Sequence, residues 1–185
     1  GIGKTFLAAD LGVAVATGRR FMGREVAQGP VGYINAEGHA GIQGRIKALE
    51  MERGLLDADV PFYLSKQGTD FLCEGSIAAV EETFDAIAAK HGGNIELFIV
   101  DTYHLNMTGD ENSSQDFGLF IRNFGRFCKR YGAAGLIIHH PGHNDKYRPR
   151  GSSAMIPSMD TALLLTEKRG QTILEHKKLK DGGPK

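Results

Sequence analysis

The sequence predicts an α/β protein in which a mainly parallel sheet is flanked by helices and followed by a C-terminal β-hairpin. Short apolar runs alternate with longer segments of helical periodicity through most of the chain, which is typical of parallel strands joined by helices. Near the end, strand-like segments at 160–166 and 171–179 are separated only by Lys168-Arg169-Gly170, a typical turn sequence. A chain of 185 residues can form one domain with a sizeable core.

The helices are predicted from apolar residues that recur every three or four positions. We expect them over residues 5–17, 40–53 and 76–90, with a fourth around residues 117–131. The fourth carries an aromatic stripe on one face, which is most simply explained as core packing. Its members are Phe117, Phe120, Ile121, Phe124, Phe127, Cys128 and Tyr131.

The strands of the parallel sheet are predicted at residues 31–35, 60–64, 95–101 and 135–140. Three of these runs end in, or are soon followed by, polar side chains: Glu37 after the first, Asp101 at the end of the third, and His139 and His140 at the end of the fourth. We expect both faces of the sheet to be covered by helices, because helical crossovers between parallel strands lie on the sheet faces.

Composition excludes some classes of protein and leaves others open. No run approaches about 18 consecutive apolar residues, so the sequence predicts no membrane span. Two cysteines are too few for a disulfide framework or a four-cysteine zinc site, and we expect a cytoplasmic protein. Glycine, at 25 of 185 residues, is roughly twice as frequent as the average of about 7%, which indicates many tight loops.

The formal net charge is zero, because 22 Lys and Arg balance 22 Asp and Glu, but the charges are unevenly distributed. Residues 146–185 contain nine Lys and Arg against four Asp and Glu, and the preceding residues carry the opposite excess. A basic segment suits the phosphates of nucleic acid or of a nucleotide. A solvated basic surface is the alternative.

The first five residues, Gly1-Ile2-Gly3-Lys4-Thr5, match the end of a phosphate-binding loop, G-x-x-x-x-G-K-S/T. Glycines let backbone N–H groups close around phosphates, the lysine reaches the β and γ oxygens, and the hydroxyl binds Mg²⁺. The match is incomplete, since the first glycine of the pattern would precede residue 1. A helix directly after the motif strengthens the interpretation.

Two acidic residues extend this interpretation. Asp101 ends a buried strand, which is where P-loop enzymes place the carboxylate that holds the hydration shell of Mg²⁺; the alternative is an acid that caps the following turn. Glu37 lies 33 residues after Lys4, at a position from which a carboxylate can orient a water against the γ-phosphate. Its alternative is a surface glutamate at the start of a helix.

His139 and His140 are candidates to contact the γ-phosphate and transmit hydrolysis to the loop that follows them. A hydrogen-bonded histidine at a strand tip is the alternative, and the spacing of the remaining His and Cys residues does not match a zinc site. The next loop, 142–153, mixes cations, an aromatic residue and small residues, which suits single-stranded nucleic acid. Its cations are Lys146, Arg148 and Arg150.

Lys178 and Lys180 lie at the end of the last predicted strand. From there they can reach the nucleotide of a neighbouring subunit, as trans-acting cations do. A frayed basic tail is the alternative.

Together these residues resemble the RecA-like P-loop ATPases, and within them the RepA-type branch of hexameric replicative helicases. The resemblance covers essentially the whole chain, and it is more specific for the superfamily than for helicase activity. It rests on G-x-G-K-T at 1–5, Ala-Glu at 36–37, L-F-I-V-D-T at 97–102, G-D-E-N at 109–112, I-I-H-H at 137–140 and R-G-S-S-A at 150–154.

The resemblance implies ATP and Mg²⁺ as cofactors, bound by Gly1, Ile2, Gly3, Lys4, Thr5 and Phe6, with Thr5 and Asp101 toward the metal. It implies Glu37 as catalytic base and His139 or His140 as γ-phosphate sensor. Lys178 and Lys180 fall where related helicases place a lysine and an arginine finger. Lysine cannot make the bidentate contact of a guanidinium, so Arg169 and Arg150 are alternatives for the finger.

The resemblance further implies a homo-oligomeric ring, a hexamer in related helicases, with the active site between subunits and single-stranded DNA as partner. It also implies that residues 1–185 form one ATPase core without the family's first strand and the head of its P-loop. We therefore expect a DNA-dependent ATPase of the RepA-like helicase type. The alternatives are a RecA-like recombinase or regulatory ATPase without unwinding activity, and a nucleotide-binding assembly module with little turnover.

Overall fold

The structure is a computed structural model of the chain, and it describes residues 3–36, 39–56, 58–140 and 155–180. Gly1, Ile2, Glu37, Lys146, Arg148 and Arg150 lie outside them, so their predicted roles stay predictions.

Helices and strands alternate as the sequence predicts, and a hairpin follows them. The four main helices differ from the predicted ranges by at most a few residues at each end. The elements are α1 (Lys4–Thr17), β1 (Val31–Asn35), α2 (His39–Glu52), β2 (Phe62–Leu64), α3 (Glu74–Ala89), β3 (Leu97–Asp101), α4 (Ser114–Arg130), β4 (Ala134–Ile138), α5 (Met155–Ser158), β5 (Thr161–Lys168) and β6 (Gln171–Leu179), with a 3₁₀ turn at His104–Asn106.

Four parallel strands form the main sheet in the order β2-β1-β3-β4, and β5 and β6 form a separate antiparallel pair. The predicted mainly parallel α/β fold with a C-terminal hairpin is therefore confirmed. Several strand limits differ from the predicted ones: β2 and β3 each begin two residues later than predicted, and β5 covers Thr161–Lys168 instead of 160–166. The prediction that His139 and His140 end the fourth strand was wrong, because β4 ends at Ile138 and both histidines follow it. Ile138 pairs with Asp101, the last residue of β3, so beyond it β4 has no strand partner.

The sheet separates two apolar cores, because successive side chains of a strand point to opposite faces. Phe98 and Val100 of β3 pack with residues of α3 and α4, whereas Leu97 and Ile99 pack with residues of α1 and α2. Helices thus cover both faces of the sheet, as expected.

The α4 face of the sheet is dominated by aromatic packing. Phe98 lies 4.5 Å from Phe127, 4.9 Å from Phe84 and 5.5 Å from Tyr131 between ring centroids, within the range of favourable aromatic pairs. The stripe predicted on α4 is buried here, apart from the half-buried Ile121. Core packing is therefore the role of this stripe.

Small residues let α1 lie close to the other face of the sheet. Its buried positions are Ala8, Ala9, Gly12, Val13, Ala14, Val15 and Ala16. A Cβ atom at Gly12 would lie 2.6 Å from the ring of Phe62 and 3.2 Å from Ile99, so a side chain there would force these side chains or the helix to shift. Close packing fixes the position of α1 relative to the strands.

The direction of α1 follows from its last turn. The N–H of Gly29, just before β1, donates to the carbonyl oxygen of Val15 at 3.2 Å, so the end of α1 lies beside the start of β1. A helix of 14 residues spans about 21 Å, and a strand of five residues about 17 Å. The start of α1 therefore reaches the edge of the sheet at which the parallel strands end, which we call the carboxyl edge.

We expect Phe98→Ala to lower the free energy of unfolding by about 3–5 kcal/mol, because it leaves a cavity among three aromatic rings. Urea unfolding followed by circular dichroism measures the change. Met22→Ala is the control, since Met22 is 64% exposed and its truncation should change stability by less than about 0.5 kcal/mol. A loss below about 1 kcal/mol for Phe98→Ala would contradict the described packing.

Candidate functional site

The register of the sheet brings three strand ends together at the carboxyl edge. Asp101 pairs with Asn35 of β1 on one side and with Ile138 of β4 on the other. The N–H of Ala36 donates to the carbonyl oxygen of Asp101 at 2.9 Å, and the N–H of Tyr103 donates to that of Ile138 at 2.8 Å. The segments that leave these strands therefore start side by side, and Ala36 is the residue directly before Glu37.

Gly3, Lys4 and Thr5 of the G-x-G-K-T motif form the start of α1 at the same edge. Gly3 has a φ of 89°, a left-handed conformation that favours glycine, and Lys4 begins the helix. Among the described residues, no side chain caps this first turn, and the turn contains no acidic residue. Its N–H groups and the positive end of the helix dipole are thus arranged to receive an anion. Lys4 and Thr5 are half-buried, and Phe6 is exposed.

Asp101 is a buried carboxylate with only part of its hydrogen-bonding capacity used. The residue is 1% exposed. Its Oδ2 accepts a hydrogen bond of 2.7 Å from the hydroxyl of Tyr33, whereas its Oδ1 has no hydrogen-bond partner in the part of the chain that the structure describes. A buried carboxylate oxygen normally has a donor or a cation as partner. The unpaired Oδ1 therefore indicates a binding position for a ligand.

The part of the chain that the structure describes offers few ligands for a metal at this position. Among the described residues, no three His, Cys, Asp or Glu side chains lie close enough together to hold an ion. Mg²⁺ fits this limit, since it is usually bound through one or two protein oxygen ligands together with water and substrate phosphates. The carboxylate of Asp101 and the hydroxyl of Thr5 are oxygen donors of the kind that Mg²⁺ prefers, and their role as its ligands stays a prediction.

The histidines after β4 differ in their surroundings. His139 is half-buried, and its ring lies 5.2 Å from that of Tyr103 in an edge-to-face arrangement, whereas His140 is exposed. Tyr103 is fully buried, and burial, with the nearby carboxylates of Asp116 and Glu111, raises its pKa to about 12. The neutral phenol of Tyr103 thus lies against the ring of His139, a candidate γ-phosphate sensor.

A buried asparagine fastens the loop after β2 to the carboxyl edge. Asn106 is fully buried; its Nδ2 donates to the carbonyl oxygen of Thr102, and its Oδ1 accepts from the N–H of Thr69, both at 2.8 Å. The N–H of Phe71 donates to the carbonyl oxygen of Asn106 at 3.0 Å. This network fixes the wall of the edge beside Asp101.

The candidate trans-acting cations lie in the hairpin and make local contacts. The Nζ of Lys178 donates to the carbonyl oxygens of Pro157 at 2.6 Å and Ile156 at 3.4 Å, and the Nζ of Lys180 lies 3.0 Å from Oδ1 of Asp160. Arg169 is exposed in the hairpin turn. A finger role for either lysine would require these contacts to exchange for contacts with a neighbouring subunit, so that role stays a prediction.

These features define a P-loop type of nucleotide site: a glycine-lysine-threonine helix start and a strand-terminal carboxylate at one edge of a parallel α/β sheet. The AAA domain family matches residues 1–146, which is most of the chain. The chain belongs to this family of P-loop ATPases. A comparison with curated proteins finds no match.

Family membership supports ATP binding and ATP hydrolysis in general. Within the described part of the chain, no helix is both long enough and apolar enough to cross a membrane.

Tyr33 and Asn106 belong to this edge but were not predicted from the sequence. Tyr33 lies on β1 two residues before Asn35, and its side chain is on the same face as Asp101 because alternate residues of paired strands share a face. Knowledge of the β1–β3 register would have identified it. Asn106 gave no signal, since a single asparagine in a polar loop is ordinary.

We expect Tyr103→Phe to be as stable as the wild type at neutral pH, or more stable by up to about 1 kcal/mol. The reason is that the Tyr103 hydroxyl is buried and lacks a hydrogen-bond partner among the described residues. The pKa of the Tyr103 phenol is near 10 in the unfolded chain and about 12 in the folded protein. A pKa that is raised on folding contributes stability that is fully present below the unfolded pKa and is lost as the pH rises toward the folded pKa. Between pH 9 and 11 the wild type should therefore lose roughly 1 kcal/mol more than the variant.

Urea unfolding at each pH measures both effects. A Tyr103→Phe variant that loses 2 kcal/mol or more at neutral pH would show that the hydroxyl does have a partner, and would contradict this description.

Proposed function

We propose that the protein binds ATP·Mg²⁺ at the carboxyl edge and hydrolyses it to drive movement along DNA, as a RepA-like replicative helicase does. The main support for ATP·Mg²⁺ binding is the buried carboxylate of Asp101. Its Oδ1 is unpaired among the described residues, and it lies at the edge where α1 begins. The order of motifs and the basic end of the chain support the DNA part.

In this proposal the nucleotide phosphates lie on the first turn of α1. Backbone N–H groups of the motif, from Gly1 to Phe6, surround the phosphate oxygens, and Lys4 places its ammonium on the β and γ phosphates. Thr5 and Asp101 hold Mg²⁺ or its bound water, and the ion, when bound, neutralises charge on the phosphate oxygens.

Hydrolysis is then an in-line attack of water on the γ-phosphate. Glu37 is the next residue in the sequence after Ala36, and in this proposal its carboxylate orients the water and accepts its proton. Lys4 stabilises the charge that develops on the phosphate oxygens. His139, directly after β4, contacts the γ-phosphate. When the γ-phosphate is released, this contact is lost, and the change is transmitted to the 142–153 loop. His140 is the second candidate for this contact.

The DNA contact is assigned to the cations of that loop, Lys146, Arg148 and Arg150, because they follow the sensor histidines directly in the chain. The protein acts as a homo-oligomeric ring in which single-stranded DNA contacts these loops and each nucleotide lies between subunits. Arg169 at the hairpin turn is exposed and, with Lys178 and Lys180, is a candidate for the cation supplied in trans.

We expect Lys4→Ala to abolish ATP binding, and Glu37→Gln to retain binding but lower the hydrolysis rate by about 10²–10⁴-fold. Removing Lys4 takes away the phosphate contact, whereas removing the Glu37 charge affects only the orientation and deprotonation of water. A fluorescent ATP analogue measures binding, and phosphate release measures hydrolysis. Glu25→Gln is a matched control, because Glu25 is exposed and follows α1 at the opposite edge of the sheet.

An unchanged hydrolysis rate in Glu37→Gln would contradict the base assignment and would favour an assembly module with little turnover. Tight ATP binding by Lys4→Ala would contradict the site itself.

We expect combined alanine substitutions of Lys146, Arg148 and Arg150 to weaken single-stranded DNA binding and DNA-stimulated ATPase activity. The slope of log affinity against log salt concentration should fall by about 2, since each lost single-strand phosphate contact contributes about 0.7. The control replaces Arg24, Lys90 and Lys129, three exposed cations at helix ends or loops of the opposite edge. Equal salt slopes in both variants would contradict the assigned DNA loop.

Unwinding of a forked DNA substrate separates the helicase proposal from its rivals. DNA-stimulated ATPase activity without strand separation would contradict the helicase assignment and favour a recombinase-type or regulatory ATPase.

A further inference from the structure

We propose that Tyr33 is a positioning residue that holds the carboxylate of Asp101 in the orientation required for Mg²⁺ at the nucleotide site. This inference rests on the proposed function and adds to it a residue from a different strand. The phenol of Tyr33 occupies Oδ2 of Asp101 and leaves Oδ1 for the metal or its bound water.

The geometry begins with the carboxylate. Oδ2 accepts the hydroxyl of Tyr33 at 2.7 Å, a normal length for a strong O–H···O bond, while Oδ1 is buried without a partner among the described residues. A carboxylate that is held by one oxygen and open at the other has a defined orientation toward the open side. The second oxygen therefore acts as the ligand atom.

The position of the phenol is itself fixed by packing. Tyr33 is fully buried on β1, where it pairs with Ile99 of β3, and its ring lies 5.8 Å from that of Phe62. Because β1 and β3 pair in register up to Asn35 and Asp101, a tyrosine two residues before the end of β1 reaches along the shared face to the end of β3. Turning the ring away from the carboxylate would therefore disturb this packing.

The effect on metal binding follows from the general behaviour of such supporting groups. Side chains that orient a metal ligand typically change metal affinity by 10–100-fold when they are removed. Without the phenol, Asp101 can rotate and offer either oxygen, or pair with water, so part of its orientation is lost. The nucleotide phosphates would still bind to the first turn of α1, which Tyr33 does not form.

The test is Tyr33→Phe in the 185-residue chain, with Tyr63→Phe as a matched control. Tyr63 lies on the neighbouring strand β2, and its hydroxyl is likewise hydrogen-bonded, 2.7 Å from Nε2 of His91, but away from Asp101. Each variant loses one phenolic hydroxyl and keeps its ring. The measured quantity is the Mg²⁺ concentration that gives half of the metal-dependent increase in affinity for a fluorescent ADP analogue.

We expect Tyr33→Phe to raise this Mg²⁺ midpoint about tenfold, with affinity for the analogue in EDTA unchanged within about twofold. Tyr63→Phe should leave both values as in the wild type. Asp101→Asn serves as the reference for loss of the metal ligand, and its midpoint should rise at least as far as that of Tyr33→Phe.

An unchanged midpoint in Tyr33→Phe would overturn the inference while leaving the proposed function in place. Loss of analogue binding in EDTA as well would also overturn it, since it would show that the hydroxyl supports the fold instead of the metal ligand. If the wild type bound no nucleotide, or bound it without any response to Mg²⁺, the proposed function itself would fail.

Discussion

The in-register pairing of β3 with both of its neighbours is the constraint on which the candidate site depends. Asp101 lies opposite Asn35 on one side and Ile138 on the other. Because of this register, the residues that follow β1, β3 and β4 begin at one edge of the sheet. A shift by one residue would turn Asp101 to the opposite face and exchange the side chains of the two cores. The aromatic packing around Phe98 stabilises this register from one face, and α1 packs on the other.

The placement of α1 converts this edge into a site for a charged ligand. Gly12 and the small residues around it allow close contact with the sheet, so the helix dipole and the N–H groups of the first turn are directed at the same edge as Asp101. The site thus combines a positive helix end with a buried carboxylate. A phosphate group with a divalent cation satisfies both features at once, which is the physical argument for Mg²⁺-nucleotide.

Local patterns in the sequence predicted most of the fold, because buried strands and amphipathic helices depend mainly on nearby residues. The limits of β1 were predicted correctly, and the motif helix begins within one residue of its predicted start. The end of β4 was not predicted correctly, because it depends on where β3 stops pairing, which is a nonlocal property. The contact between Tyr33 and Asp101 joins residues 68 positions apart and depends on strand register, so no local pattern predicts it. The position of Asp101 followed from its strand, whereas its unpaired Oδ1 required the structure.

The most direct test of the account is a crystal structure of the protein with ADP and Mn²⁺ in place of Mg²⁺, with the metal located by its anomalous scattering. We expect the anomalous peak beside Oδ1 of Asp101 and the hydroxyl of Thr5, with the β-phosphate on the first turn of α1. A nucleotide bound elsewhere would contradict it; one such place is the open cleft of about 470 Å³ that Asp85, Arg130 and Tyr131 line.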